Sequence, residues 1–138
     1  KFYAKESQSR IREIGSDLLH AYEFIYTMDL AYAVADVVIS RSGAMCVTEL
    51  SLVAKPCVLV PFPFAAEDHQ TANAMALVNN DAGVLVKDEE IKDELFNAVD
   101  MLLSDEVKRE TLKRNIEKLK IENAADLIMV EVDKLLEN

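Results

Sequence analysis

The chain has 138 residues, 51% of them apolar and 29% charged, with 25 acidic against 15 basic side chains and a formal net charge of −10. That size and composition suit one ordinary globular domain with a real core. The acidic excess, with no basic stripe to offset it, argues against nucleic-acid or anionic-membrane binding, and no run of about 18 apolar residues is present to cross a bilayer.

The first residue is Lys1 rather than a methionine, and no signal peptide is visible. This predicts a piece of a longer chain whose beginning is missing. Residues Glu6 to Ile14 read as a helix with Ile11 and Ile14 on one face and Gly15 as its stop. Leu19 to Ile25 is predicted as a short strand, and Met28 to Val34 as a helix with Met28, Tyr32 and Ala35 at helical spacing. Val37-Val38-Ile39 is a β-branched strand without a polar break, as in a parallel sheet covered on both faces. The turn Arg41-Ser42-Gly43-Ala44 leads into a helix from Met45 to Ala54. Cys57 to Val60 is the next buried strand. A loop stiffened by Pro61 and Pro63 comes next, then a helix from about Glu67 to Asn79 and a strand from Gly83 to Val86.

Beyond Lys87 the pattern is helical only: roughly Glu89 to Leu103, Asp105 to Lys120 and Asn123 to Leu136, with Ser104-Asp105 and Asn123 as N-caps. The alternation predicts βαβ units with right-handed crossovers. The fold class is therefore α/β, a Rossmann-like parallel sheet with flanking helices. About four strands are readable, fewer than a complete nucleotide-binding domain has. The two cysteines, Cys46 and Cys57, lack CxxC or zinc-ligand spacing and read as buried reduced thiols, so no metal site is expected.

Ligands of open α/β sheets bind beyond the carboxyl ends of the strands. The bend Ser40-Arg41-Ser42-Gly43-Ala44 lies there, where a helix start offers unpaired backbone N–H groups and the positive end of the helix dipole. That combination suits a diphosphate. Glu49, on the helix so opened, leans back toward the helix mouth and is the one charge before Lys55; a carboxylate there can grip the two hydroxyls of a ribose. His69 and Gln70, at the next helix start, can bond sugar hydroxyls, whereas Asn73 is expected to bond neighbouring loop backbone. His20 reads as structural or simply exposed, and Phe62 and Phe64 as loop-to-core packing. Lys108, Arg109, Lys113, Arg114, Lys118 and Lys120 read as a solvated face. Neither a P-loop nor a nucleophile elbow is present.

Taken in order, Phe24-Ile25, Met28 with Tyr32 and Ala35-Asp36, Arg41-Ser42-Gly43-Ala44 with Glu49, Pro56, Val60-Pro61, and His69-Gln70 with Asn73-Ala74 resemble the C-terminal domain of the MurG family. The match covers most of residues 20 to 86. The resemblance implies the donor-binding C-terminal half of a GT-B glycosyltransferase over residues 1–138, incomplete at its N-terminal side. It implies transfer of N-acetylglucosamine from UDP-N-acetylglucosamine to lipid I, giving lipid II with inversion, in peptidoglycan synthesis. Ile25 would then hold uracil through its backbone, Ser42, Gly43, Ala44, Met45 and Cys46 would surround the diphosphate, Glu49 would take the ribose, and His69 and Gln70 the sugar. Where the family commonly has a hydroxyl residue this chain has Cys46, which puts one phosphate hydrogen bond in doubt. No cofactor and no metal are implied. The catalytic base, lipid I binding and peripheral association with the inner face of the plasma membrane would belong to an N-terminal domain without a counterpart here, in a cytoplasmic protein, and the isolated piece is expected to be inactive. The alternatives are a non-catalytic α/β interaction module, or the donor subunit of another UDP-N-acetylglucosamine enzyme, a lipid-linked transferase or an epimerase.

Overall fold

The structure, a computed structural model, describes residues 2–136. The chain divides into two compact units, Lys1–Val34 and Ala35–Asn138. In the first, helix α1 (Phe2–Ile14) stops at Gly15, whose φ of +67° is a left-handed stop that glycine adopts without strain. The Gly15 N–H closes the last turn on the Ile11 carbonyl at 3.0 Å. Helix α2 runs over Met28–Val34, as the spacing predicts. Between them the predicted strand over Leu19–Ile25 is absent: the segment is irregular, with a single bend at Glu23. Leu18, Tyr22, Phe24 and Tyr26 are exposed there. An extended segment persists only where a neighbour accepts its N–H and C=O groups, and among the described residues no strand pairs with this one.

The second unit holds a three-stranded parallel sheet in the order β1 (Val38–Ser40), β2 (Cys57–Leu59), β3 (Val84–Leu85). Three strands stand among the described residues where about four are readable, the difference being the segment at 19–25. β2 is buried along its whole length, as a central strand made only of apolar residues should be. Helix α3 (Ala44–Val53) joins β1 to β2, and helix α4 (His69–Val78) joins β2 to β3. Helices α5 (Ile91–Ser104), α6 (Glu106–Glu117) and α7 (Ala124–Leu136) complete the chain order.

Val58, Val60, Val86, Leu102 and Leu112 form one buried cluster, with Ile91, Leu95 and Val99 of α5 packed against it. Leu50 of α3 and Ala74 and Leu77 of α4 are buried as well. Gly83 lies where β3 begins, and a Cβ there would meet the Cys57 Sγ at 3.2 Å and the Leu59 Cδ1 at 3.5 Å. Glycine is therefore what lets the α4–β3 turn approach the central strand. Asp105 caps α6 by accepting from the Lys108 N–H at 2.9 Å, in line with the sequence. Arg109 is more than part of a solvated face. It donates to the Leu102 and Leu103 carbonyls at 2.6 Å each and so closes the end of α5. Every described residue of α7 is exposed.

Candidate functional site

β1 and β2 both empty at the same edge of the sheet, and the residues just past their ends converge there. α3 begins at Gly43, its N-cap, which has φ −62° and ψ 151° and supplies no capping side chain. The first intrahelical bond runs from the Val47 N–H to the Gly43 carbonyl at 3.0 Å. Helix geometry leaves the N–H groups of Ala44, Met45 and Cys46 ahead of it without intrahelical acceptors. They point out of the mouth of a ten-residue helix whose dipole places partial positive charge there. The mouth is open: Ala44 and Met45 are exposed and Cys46 is half-buried, so of the two thiols only Cys57 is buried as the sequence predicts.

Ser42 is placed differently from its neighbours. It is fully buried, and its hydroxyl donates to the Gln70 carbonyl at 2.7 Å. Asn73 of α4 donates from Nδ2 to the Ser42 carbonyl at 3.1 Å, the loop-bonding role the sequence predicts for it. The Gln70 side chain accepts from the Phe62 N–H at 3.0 Å. These three bonds lock the bend before α3 to the start of α4. What Ser42 can present to a ligand is consequently its main chain, not its hydroxyl.

Glu49 lies exposed on α3, one turn on from Met45 and Cys46 and on the same helical face. His69 opens α4, exposed, with its Nε2 3.4 Å from the Glu67 carboxylate. The chain reaches it through two successive left-handed residues, Glu67 (φ 49°) and Asp68 (φ 54°). Such a pair costs of order 1–2 kcal/mol per residue and sets α4 off at an angle from the loop. Phe62 and Phe64 do not pack into the core as expected. Phe64 is 84% exposed, and the two rings meet edge to face at 5.7 Å, because the flanking prolines hold the loop out from the sheet. Ile25 belongs to the first unit, in the loop between α1 and α2, partly exposed. His20, in the same loop, is exposed.

The structure thus brings Ser42, Gly43, Ala44, Met45, Cys46, Glu49, His69 and Gln70 to one edge of the second unit. A separate hollow of about 450 Å³ opens beside them, between the exits of β2 and β3, lined among others by Pro61, Pro63, Asp68, Thr71, Lys87 and Asp88. Asp88 of that lining, to which the sequence assigns no role, pairs with Arg41, which the sequence places in the bend without a task of its own. Arg41 reaches Asp88 across 47 positions of sequence, a pairing with no local signature. The one available signal is an arginine placed directly after a strand, at the edge where ligand loops gather; that strand, read as covered on both faces, has Ile39 51% exposed.

Parallel strands exiting into an uncapped helix mouth define a Rossmann-like α/β domain, of the kind from which GT-B glycosyltransferases are built. Residues 3–128 match the glycosyltransferase family 28 C-terminal domain, and the chain belongs to that family. It is 44% identical over 124 residues to the UDP-N-acetylglucosamine--N-acetylmuramyl-(pentapeptide) pyrophosphoryl-undecaprenol N-acetylglucosamine transferase of Flavobacterium psychrophilum, covering 90% of this chain and 34% of that protein. The protein of the same name from Parabacteroides distasonis is 39% identical over 137 residues, covering 99% of this chain and 37% of its own. Among solved structures, that of Acinetobacter baumannii MurG superposes with a TM-score of 0.76 at 30% identity, over 83% of this chain and 35% of that one. The chain therefore spans about a third of the length of these relatives.

Proposed function

We propose that this chain is the donor-binding half of an inverting glycosyltransferase that moves N-acetylglucosamine from UDP-N-acetylglucosamine to lipid I, forming lipid II in peptidoglycan synthesis. The observation that carries the reading is the uncapped mouth of α3 beside the start of α4, in a chain of the family 28 C-terminal type. In this reading the main-chain N–H groups at Ser42, Gly43, Ala44, Met45 and Cys46 surround the diphosphate. Because backbone amides do that work, a thiol at Cys46 in place of a hydroxyl removes at most one contact.

Glu49 accepts from the two ribose hydroxyls, and His69 and Gln70 bond the sugar. The Gln70 Oε1 is bonded to the Phe62 N–H, so the amide NH₂ is the end it offers to a hydroxyl. As the glycosidic bond breaks, negative charge grows on the departing UDP, and preorganised amides at a helix mouth stabilise it without reorganising. The acceptor cleft, the base that deprotonates the acceptor hydroxyl, and peripheral contact with the cytoplasmic face of the membrane belong, in this reading, to the part of the relatives that this chain does not span. Closure between the two parts aligns donor and acceptor and excludes water.

Titration calorimetry of the full-length protein with UDP-N-acetylglucosamine tests the reading. Saturable binding is expected, and Glu49→Ala is expected to weaken it by about tenfold or more, the loss of charge-assisted hydrogen bonds. No saturable heat, with Glu49→Ala indistinguishable from wild type, returns the chain to a non-catalytic interaction module.

A further inference from the structure

Arg41 leaves the end of β1 and turns across the sheet edge. Its Nη1 donates to the Val60 carbonyl at 3.3 Å, to the Pro61 carbonyl at 3.1 Å and to the Asp88 Oδ1 at 2.5 Å. Its guanidinium carbon lies 5.5 Å from the centre of the Phe62 ring, within cation–π range. One side chain thus ties together the exits of all three strands: its own bend after β1, the Pro61-Phe62 segment after β2, and the turn at Asp88 after β3. The tie continues into the candidate site through two bonds at Gln70, one to its side chain and one to its main chain. Phe62 donates its N–H to Gln70, and Ser42, the residue next to Arg41, donates its hydroxyl to the Gln70 carbonyl. A path of short contacts therefore runs from Asp88 through Arg41, Phe62 and Gln70 to the bend before α3.

We propose that Arg41, held by Asp88, is a positioning residue that fixes the distance between the α3 mouth and the α4 start, and so sets affinity for a nucleoside diphosphate sugar. The inference rests on the donor-binding function proposed for the chain. A cation this near an anion site invites the opposite assignment, in which the guanidinium itself contacts phosphate. The geometry favours the tie, since Nη1 serves two carbonyls and a carboxylate on the side of the β2 and β3 exits. The planar guanidinium suits this task better than an ammonium: it lies over the Phe62 ring while its Nη1 serves the acceptors at the β2 and β3 exits.

The two assignments separate on Asp88→Asn in the full-length protein. Positioning by Arg41 predicts that Asp88→Asn and Arg41→Ala each raise the Kd for UDP-N-acetylglucosamine about tenfold. It also predicts that the double variant is no weaker than the weaker single one, and that Arg41→Lys falls between wild type and alanine. In turnover, the donor KM should rise more than kcat falls. Thermal midpoints should stay within a few degrees, since a half-exposed ion pair contributes little to stability. A direct phosphate contact predicts the reverse for Asp88→Asn, with unchanged or tighter binding, and that result overturns the proposal. Should the wild type itself show no saturable binding, the donor reading fails and takes the affinity role with it. Hydrogen exchange at the Phe62 and Gln70 amides then still reports the tie: faster exchange in Asp88→Asn shows that it exists, and unchanged exchange shows that it does not.

Discussion

Gly43 adopts a backbone conformation open to any L-residue, and a Cβ built there meets nothing within 4 Å. Nothing inside the protein requires glycine at that position. The space a methyl group would fill lies at the mouth of α3, where a diphosphate would approach the chain. Gly43→Ala is therefore expected to change unfolding free energy by no more than about 0.5 kcal/mol, because alanine's poorer N-cap preference offsets its lower unfolded-state entropy. UDP-N-acetylglucosamine should bind about tenfold more weakly. Calorimetric unfolding and ligand titration on the same sample check both halves, and equal affinity in the variant would show that the donor does not approach the bend. At this scale the sequence reveals which chemistries are present but not where they point. Ser42 reads as a phosphate ligand from its place in a bend, yet its hydroxyl faces Gln70, 28 positions away. Asn73 is legible because a short amide near the start of a helix commonly bonds neighbouring loop backbone, although its partner here is the Ser42 carbonyl, 31 positions away.

Helix α3 ends on Ala54, which sits in the left-handed region at φ 49° and ψ 49° while its N–H returns to the Leu50 carbonyl. A side chain with a Cβ costs about 1 kcal/mol there that glycine does not. Ala54→Gly is expected to stabilise the chain by up to about 1 kcal/mol and raise the unfolding midpoint by a few degrees. A lower midpoint would mean that contacts of the Ala54 methyl outweigh the backbone strain. The elements themselves are mostly legible, since β-branched runs and helical spacing are local signals: α2 matches its predicted range, and β1, β2 and β3 fall within a residue or so of theirs. The predicted strand at Leu19–Ile25 fails for the complementary reason, because pairing is decided by a neighbour that local spacing cannot reveal. The left-handed pair Glu67-Asp68 is barely legible: aspartate tolerates that region better than most residues, but glutamate does not mark it.

For the molecule as a whole, the middle of the sheet sets a limit on alkaline tolerance. Cys57 is fully buried in β2, and burial pushes its thiol from the ordinary 9.0 up to about 12. A folded pKa above the unfolded one favours the protonated native state. The contribution is intact below pH 9 and is lost as pH rises from 9 toward 12. Across that window the one thiol lowers unfolding free energy by about 1.4 kcal/mol per pH unit. Denaturant unfolding between pH 8 and roughly pH 10.5 should show a steeper fall in wild type than in Cys57→Ala, even though the variant starts less stable for want of packing. Parallel slopes would place the thiol in contact with solvent.

The uncapped start of α3 has a different relation to pH. An amide N–H neither gains nor loses a proton between mild acid and mild alkali, so the field at that helix mouth is a fixed property of the backbone. Grip exerted by such groups cannot be switched by acidification, nor abolished by exchanging one side chain for another. A lineage could therefore rewrite side chains that face away from the mouth while its hold on an anion persisted, provided the turn kept its shape and position 43 left its space open.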